Sequence, residues 1–155
     1  MTSDPSTNSL GGSARDFRAA TRSIALPEPS AVSAPFWDAT SRHVLCLQRC
    51  TECEGYEWTP QMACSRCHTE TLAWREVSGR ATIYSYTIVH RAPTPGFHPP
   101  YVLIIAELDE GPHMLSDLID VRLEDVTIGM PVQVAFEDFD GLSLPHFTPT
   151  SDSRI

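Results

Sequence analysis

Two cysteine pairs carry the clearest chemistry in this chain. Two residues separate Cys50 from Cys53 and Cys64 from Cys67, and ten residues lie between the pairs. Each Cys-x-x-Cys unit sets two thiols on one tight turn, and the intervening loop can bring the second pair round to complete a tetrahedron. This is the spacing of an all-cysteine zinc site. Zinc held by four protein ligands has no open position for water or substrate, so the expected ion is structural. Rubredoxin-type iron fits the same pairs, but no other residue points to electron transfer, and thiolate softness favours zinc. Such an ion contributes folding free energy on the order of 10 kcal/mol in small modules. Replacing Cys64 with serine is therefore expected to unfold the metal module and leave the later strands paired. Disulfide pairing is the competing use of the four cysteines. The fifth, Cys46, is expected to be a small buried side chain.

The remaining reactive residue types do not assemble into a catalytic pattern. No Ser-His-Asp or Cys-His arrangement with supporting motifs is visible, and the clustered cysteines are committed to metal. Asp109, Glu110, Asp117 and Asp120 could supply a general base, but acids at strand ends and turns read first as solvated surface. All 11 cationic side chains are arginine; the absence of lysine excludes Schiff-base chemistry within this chain. The proline-rich loop from His90 to Pro100 is the best candidate for a contact surface. Its prolines limit the entropy lost on docking, Phe97 can act as an apolar anchor, and His90, Arg91 and His98 can meet a charged rim.

The formal net charge is −9, and it is unevenly spread. From Tyr101 onward, 11 acids face only Arg122 and Arg154. Phosphate neutralisation supplies most non-specific nucleic-acid affinity, so the acidic half is a poor surface for it. The longest apolar stretch, Tyr101 to Ala106, is too short to span a membrane and suits a buried strand. No basic segment followed by an apolar one opens the chain, so a cytoplasmic location is expected, in keeping with thiols reserved for metal.

The elements that must position the cysteines can be read outward from them. Residues 1–32 are rich in Ser, Ala, Pro and Thr and read as a flexible leader, with a possible short helix over Ser13 to Arg22. Ser33 to Arg42 predicts a helix capped by Ser33, with Pro35 in its first turn and Phe36 and Trp37 as anchors. His43 to Gln48 predicts a strand into the first knuckle, and Tyr56 to Pro60 the return. This order, over residues 33–70, describes a rubredoxin-like zinc ribbon. From Leu72 the signals are uniformly β. Strands are expected at Leu72 to Val77, Arg80 to His90, Tyr101 to Leu108, Pro112 to Leu118, Val132 to Glu137 and Leu144 to Thr148. Alternation puts Tyr84 and Tyr86 on one face. Short antiparallel strands in residues 71–150 predict a five-stranded OB-fold barrel, followed by a tail at 151–155. The fold class is mostly β.

From about Pro35 to Pro149 the sequence resembles the zinc-ribbon and OB-fold proteins associated with acyl-CoA enzymes, a family long filed as a domain of unknown function. The resemblance rests on Phe36-Trp37, on Leu47 to Cys50 with Cys53, on Cys64 and Cys67, and on Trp74 to Gly79. It continues through Tyr84 to Thr87, Pro100-Tyr101, Glu107 to Gly111, Ile128 to Val132 and Leu144 to Phe147. One departure is visible: members often carry glycine directly after the second cysteine, where this chain has Glu54. The resemblance implies a non-catalytic accessory subunit in a hetero-oligomer with a thiolase-like condensing or cleaving enzyme, or with a MaoC-like hydratase of hotdog fold. It implies that the subunit helps form the acyl-CoA site, in steroid or fatty-acid side-chain degradation. Arg66 and Arg91 are then candidates for coenzyme A phosphates, and His90, Arg91, Phe97 and His98 for the partner interface. An OB-fold protein for single-stranded nucleic acid is the alternative.

Overall fold

The computed structural model describes residues 25–94 and 96–150. The expected leader helix over 13–22, most of the leader, and the tail at 151–155 lie outside the described residues. One helix, α1 (Ala34–Thr40), precedes eight strands: β1 (Cys46–Cys50), β2 (Tyr56–Glu57), β3 (Leu72–Glu76), β4 (Arg80–Val89), β5 (Tyr101–Leu108), β6 (His113–Leu118), β7 (Pro131–Phe139) and β8 (Leu142–Pro149). Among the described residues no helix is long and apolar enough to cross a membrane.

The helix begins where the sequence predicts, with Pro35 in its first turn, but Ser33 makes no side-chain cap. Its hydroxyl instead accepts the Ser30 N–H at 2.9 Å, folding the entering chain back on itself. The helix anchors itself with Phe36, which is 2% exposed and packs edge-on to Trp37 at 4.9 Å and against Trp58 at 5.3 Å.

The strands form two units. One is a three-stranded sheet in the order β2-β1-β3; the other is a closed barrel in the order β4-β5-β6-β8-β7. The five-stranded barrel of the sequence reading is thus present. The segment from Leu72, which that reading counted with the barrel, pairs instead with β1 over five residues, from Cys46↔Glu76 to Cys50↔Leu72. Composition marks a strand but does not choose its neighbour.

One hydrophobic core serves both units. Phe36, Leu45 and Leu47 from the helix and ribbon belong to the same buried cluster as Ile83, Ile104, Met114, Val132 and Phe147 from the barrel. The Val77 N–H donates to the Leu45 carbonyl at 2.9 Å across the junction. In β5, Val102, Ile104, Ala106 and Leu108 are buried in strict alternation, which is the inward row of a half-exposed strand. The shared core alters the expectation for Cys64→Ser: loosening the ribbon uncovers apolar side chains on which the barrel also packs.

Closure of the barrel is uneven. β6 meets β8 in parallel through the single pair Leu118↔Phe147. Side chains reinforce this short seam: the Ser116 hydroxyl donates to the Pro145 carbonyl at 2.9 Å, and His146 Nδ1 bonds the Asp117 carboxylate. Buried His146 also lies with Nε2 3.3 Å from Glu137 on β7, so one imidazole touches both neighbouring strands. A one-residue bulge interrupts β4, because Ile83 pairs with Ala106 and Ser85 with the adjacent Ile105. Tyr84 is the extra residue. The bulge breaks the alternation expected of Tyr84 and Tyr86, since Tyr86 pairs with Ile104 while Tyr84 leans on His113 with ring centroids 4.3 Å apart, yet both side chains are exposed.

The ribbon joins the barrel through Gly79, where φ is +68° and an added Cβ would lie 2.3 Å from Val134 Cγ1. A side chain is excluded there twice, by backbone conformation and by space. Gly79→Ala is expected to destabilise the chain by about 1–3 kcal/mol in urea unfolding; an unchanged midpoint would mean the junction is not under this constraint. Between the α1–β1 link and β7, His43 stacks on Phe136 and bonds Asp138 at 2.8 Å. The Ser143 hydroxyl first, and His43 second, hold the Asp138 carboxyl below its usual range. A folded pKa below the unfolded one stabilises above the ordinary carboxylate range, and the benefit is lost as pH falls through the folded value. Asp138→Asn is therefore expected to flatten the acid limb of a stability-against-pH profile, and an unaltered limb would contradict the assignment.

Candidate metal centre

The two knuckles are built alike. In the first, the Glu54 N–H donates to the Cys50 carbonyl at 3.0 Å and the Cys50 N–H to Gly55 at 2.9 Å; in the second, His68 donates to Cys64 at 2.9 Å and Cys64 to Thr69 at 2.9 Å. The residue after the second cysteine is left-handed in both turns, with φ +60° at Glu54 and +61° at His68. This accounts for the glycine often found at that position, since a side chain there costs about 1 kcal/mol. Glu54 recovers part of that cost through Arg49, whose guanidinium lies 3.0 Å from its carboxylate and also over the Tyr56 ring.

The turns face one another and gather the four sulfurs. Cys50 Sγ lies 3.5 Å from Cys67 Sγ, Cys53 Sγ lies 3.5 Å from Cys64 Sγ, and all four fall within 4.8 Å of one another. A tetrahedron with metal–sulfur bonds of about 2.3 Å has sulfurs about 3.8 Å apart, so the cluster can hold a metal ion. All five cysteines are free thiols, and Cys46, half-buried at the start of β1, stands outside the group.

Two threonines that the cysteine spacing does not reveal complete the site. Thr69 Oγ1 lies 3.1 Å from Cys67 Sγ and 3.5 Å from Cys50 Sγ, and Thr71 Oγ1 lies 3.6 Å from Cys50 Sγ. The Cys53 backbone N–H and then the Thr69 hydroxyl pull the Cys50 thiol down to about 5. The Thr69 hydroxyl is also the main cause lowering Cys67. Cys64 is pushed up to about 12: the Cys67 N–H favours its thiolate, but desolvation and the adjacent Cys53 and Cys67 sulfurs outweigh it. The Thr-x-Thr at 69–71, directly after the second knuckle, was the available sequence signal.

The other candidate residues do not converge. Arg66, in the second knuckle, lines a cavity of about 420 Å³ between the ribbon and the β5–β6 turn, with Arg49, Tyr56 and Glu110. An added Cβ at Gly55 would come 2.7 Å from the Arg66 side chain, so the missing side chain lets the arginine cross the knuckle. Arg91 does not line that cavity; it is exposed in the loop after β4, as are His90 and His98. Phe97 in the same loop folds back to stack on Tyr101 at 5.6 Å and is half-buried. Glu110, read as solvated surface, instead accepts the Ser78 N–H at 2.6 Å.

A ribbon with a closed four-thiol cluster, fused through one core to a five-stranded barrel, defines a zinc-ribbon-like and OB-like protein class. Residues 74–137 match the family model for the C-terminal OB-fold domain of ChsH2. The chain is 35% identical over 97 residues to a DUF35 domain-containing scaffold protein of Methanocaldococcus jannaschii, covering 61% of this chain and 69% of that one. It matches a chain of the solved Ltp2-ChsH2(DUF35) aldolase with a TM-score of 0.73 and 31% identity, over 80% of this chain and 98% of that one. This chain belongs to the DUF35 family. It is also 34% identical to a probable enoyl-CoA hydratase alpha subunit of Thermomonospora curvata, and 32% identical to the 3-oxo-4,17-pregnadiene-20-carboxyl-CoA hydratase alpha subunit of Mycobacterium tuberculosis. These matches cover 74% and 79% of this chain but only 36% and 39% of the hydratase subunits.

Outer-shell hydroxyls orient thiolates and tune their affinity for metal. Thr69→Val combined with Thr71→Val is expected to weaken metal retention roughly 10- to 100-fold in competition with a chromogenic chelator. Retention equal to the parent chain would show that the two hydroxyls do not support the thiolates.

Proposed function

We propose that this chain is a non-catalytic accessory subunit that binds and stabilises an acyl-CoA enzyme and helps form its acyl-CoA site. The observation that carries this reading is the match, across both ribbon and barrel, to nearly the whole DUF35 chain of the Ltp2-ChsH2 aldolase. That match favours a thiolase-like condensing or cleaving enzyme as the partner. The two hydratase alpha subunits favour a second reading, in which the partner is a MaoC-like hydratase; one of them names a steroid-derived acyl-CoA.

Cys50, Cys53, Cys64 and Cys67 would hold zinc, which supplies folding energy here and leaves no site for water or substrate. The cytoplasm, where thiols stay reduced, is the compartment that suits it. The chain's own residues then act by position. Arg66 beside Tyr56 offers a guanidinium and an aromatic ring to the phosphate-bearing end of coenzyme A, and Arg91 a second cation from the β4–β5 loop. The nucleic-acid alternative is poorly supported: Arg80 and Arg122 on the barrel are already paired, with Asp109 and Glu124, and Arg91 is the one other cation against ten acids over residues 80–150.

The test is to tag the full chain in its own host, purify it, and weigh the product by native mass spectrometry. The expected result is a stoichiometric complex with an acyl-CoA enzyme whose turnover needs both chains, and whose acyl-CoA affinity falls about 10-fold with Arg66→Ala. A lone chain, or one that turns over acyl-CoA unaided, would overturn the reading.

A further inference from the structure

We propose that the outer face of β4, β5 and β6 is the surface on which the acyl-CoA enzyme docks, and that the enzyme meets it with an apolar patch edged by arginine or lysine. This inference rests on the accessory-subunit reading and names the surface it requires.

The face follows from register. The inward row of β5 fills the core, so Tyr101, Leu103, Ile105 and Glu107 point outward. Ile105 pairs with Ser85 on one side and Leu115 on the other; Leu103 pairs with Thr87 and Asp117; Tyr101 pairs with Val89. Leu115 is 62% exposed and Tyr84 54% exposed. Tyr84 follows inward Ile83 and so lies on this face, and its ring lies on His113, two residues before Leu115 in β6. This face therefore sets an exposed tyrosine beside an exposed leucine, at the edge of a row of β-branched and aliphatic side chains. α1 packs on β1 and β8, away from these strands.

Charge selects the occupant. Glu107 stands half-exposed at one end of the outer row, while Asp117 at the other end turns its carboxylate to His146; residues 80–150 as a whole carry ten acids against three arginines. A second copy would set this acidic barrel against its own kind in a chain of net charge −9, and an anionic membrane or nucleic acid would meet the same repulsion. A protein partner with a basic rim gains steering from the acids and burial from the aromatic and aliphatic centre, the usual division of an interface. The proline-rich loop extends this face, since Phe97 stacks on Tyr101 where β5 begins.

The experiment uses the tagged full chain in its own host, comparing the parent with Tyr84→Glu, Leu115→Glu and the milder Leu115→Ser. Met62→Glu, at a 79% exposed position in the ribbon, is the control for added charge. Thermal melts establish that each variant folds. In parallel, hydroxyl-radical footprinting compares Tyr84 and Leu115 in the parent complex and in the free chain, which needs no variant. The expected result is at least a 10-fold loss of co-purified acyl-CoA enzyme with the two glutamate variants, a smaller loss with Leu115→Ser, none with Met62→Glu, and several-fold lower labelling of Tyr84 and Leu115 in the complex. Full recovery with Leu115→Glu, or unchanged labelling, overturns this face and leaves the accessory reading intact. Equal loss with Met62→Glu also overturns it. A parent chain that recovers no acyl-CoA enzyme overturns both.

Discussion

Four sulfurs held within 4.8 Å of one another are the constraint on which the rest of this structure depends. The knuckle end of the ribbon has little else to hold it: β2 is two residues long, and the two knuckles are turns with a left-handed residue in each. Two linked turns of that size cannot bury enough apolar surface of their own to offset their conformational entropy, and small modules of this kind rely on a metal or a disulfide. One cation held by the four thiolates would provide the missing cross-link. They join residues 17 apart in sequence and fix the end of β1 at Cys50.

β1 carries that order into the barrel. It begins beside Leu45, buries Leu47, and ends at a sulfur of the cluster, so the metal module and the core share one strand. β3 then returns along β1 and leads through Val77 and Gly79 into β4. Ribbon and barrel are consequently one packing unit. A subunit that works by presenting a surface benefits from this arrangement, because a rigid scaffold holds its contact residues in register before any partner arrives.

The sequence made the local features legible and the non-local ones less so. Cysteine spacing is a local geometric signal, and it identified the four thiols without reference to the rest of the fold. The strand β5 was equally plain as an element, because a six-residue apolar run reads as a buried strand, whereas the choice of its inward row shows only in the folded burial pattern. The partner of the strand at Leu72 was not legible, since β propensity is the same whichever edge a strand joins. The bulge at Tyr84 reverses the alternation of one strand and left no glycine or proline to announce it. Thr69 and Thr71 were not legible as part of the site, because their role depends on sulfurs from two different turns. Glu54 was noticed as a departure, and its left-handed backbone supplies the reason glycine is common there.

The central claim is that the four thiolates close around a single structural ion. X-ray absorption at the zinc edge of the purified chain tests it directly. The account predicts one zinc per chain with a first shell of four sulfurs at about 2.3 Å and no lighter ligand. A shell containing nitrogen or oxygen, a redox-active iron in place of zinc, or a chain that retains no metal would contradict it.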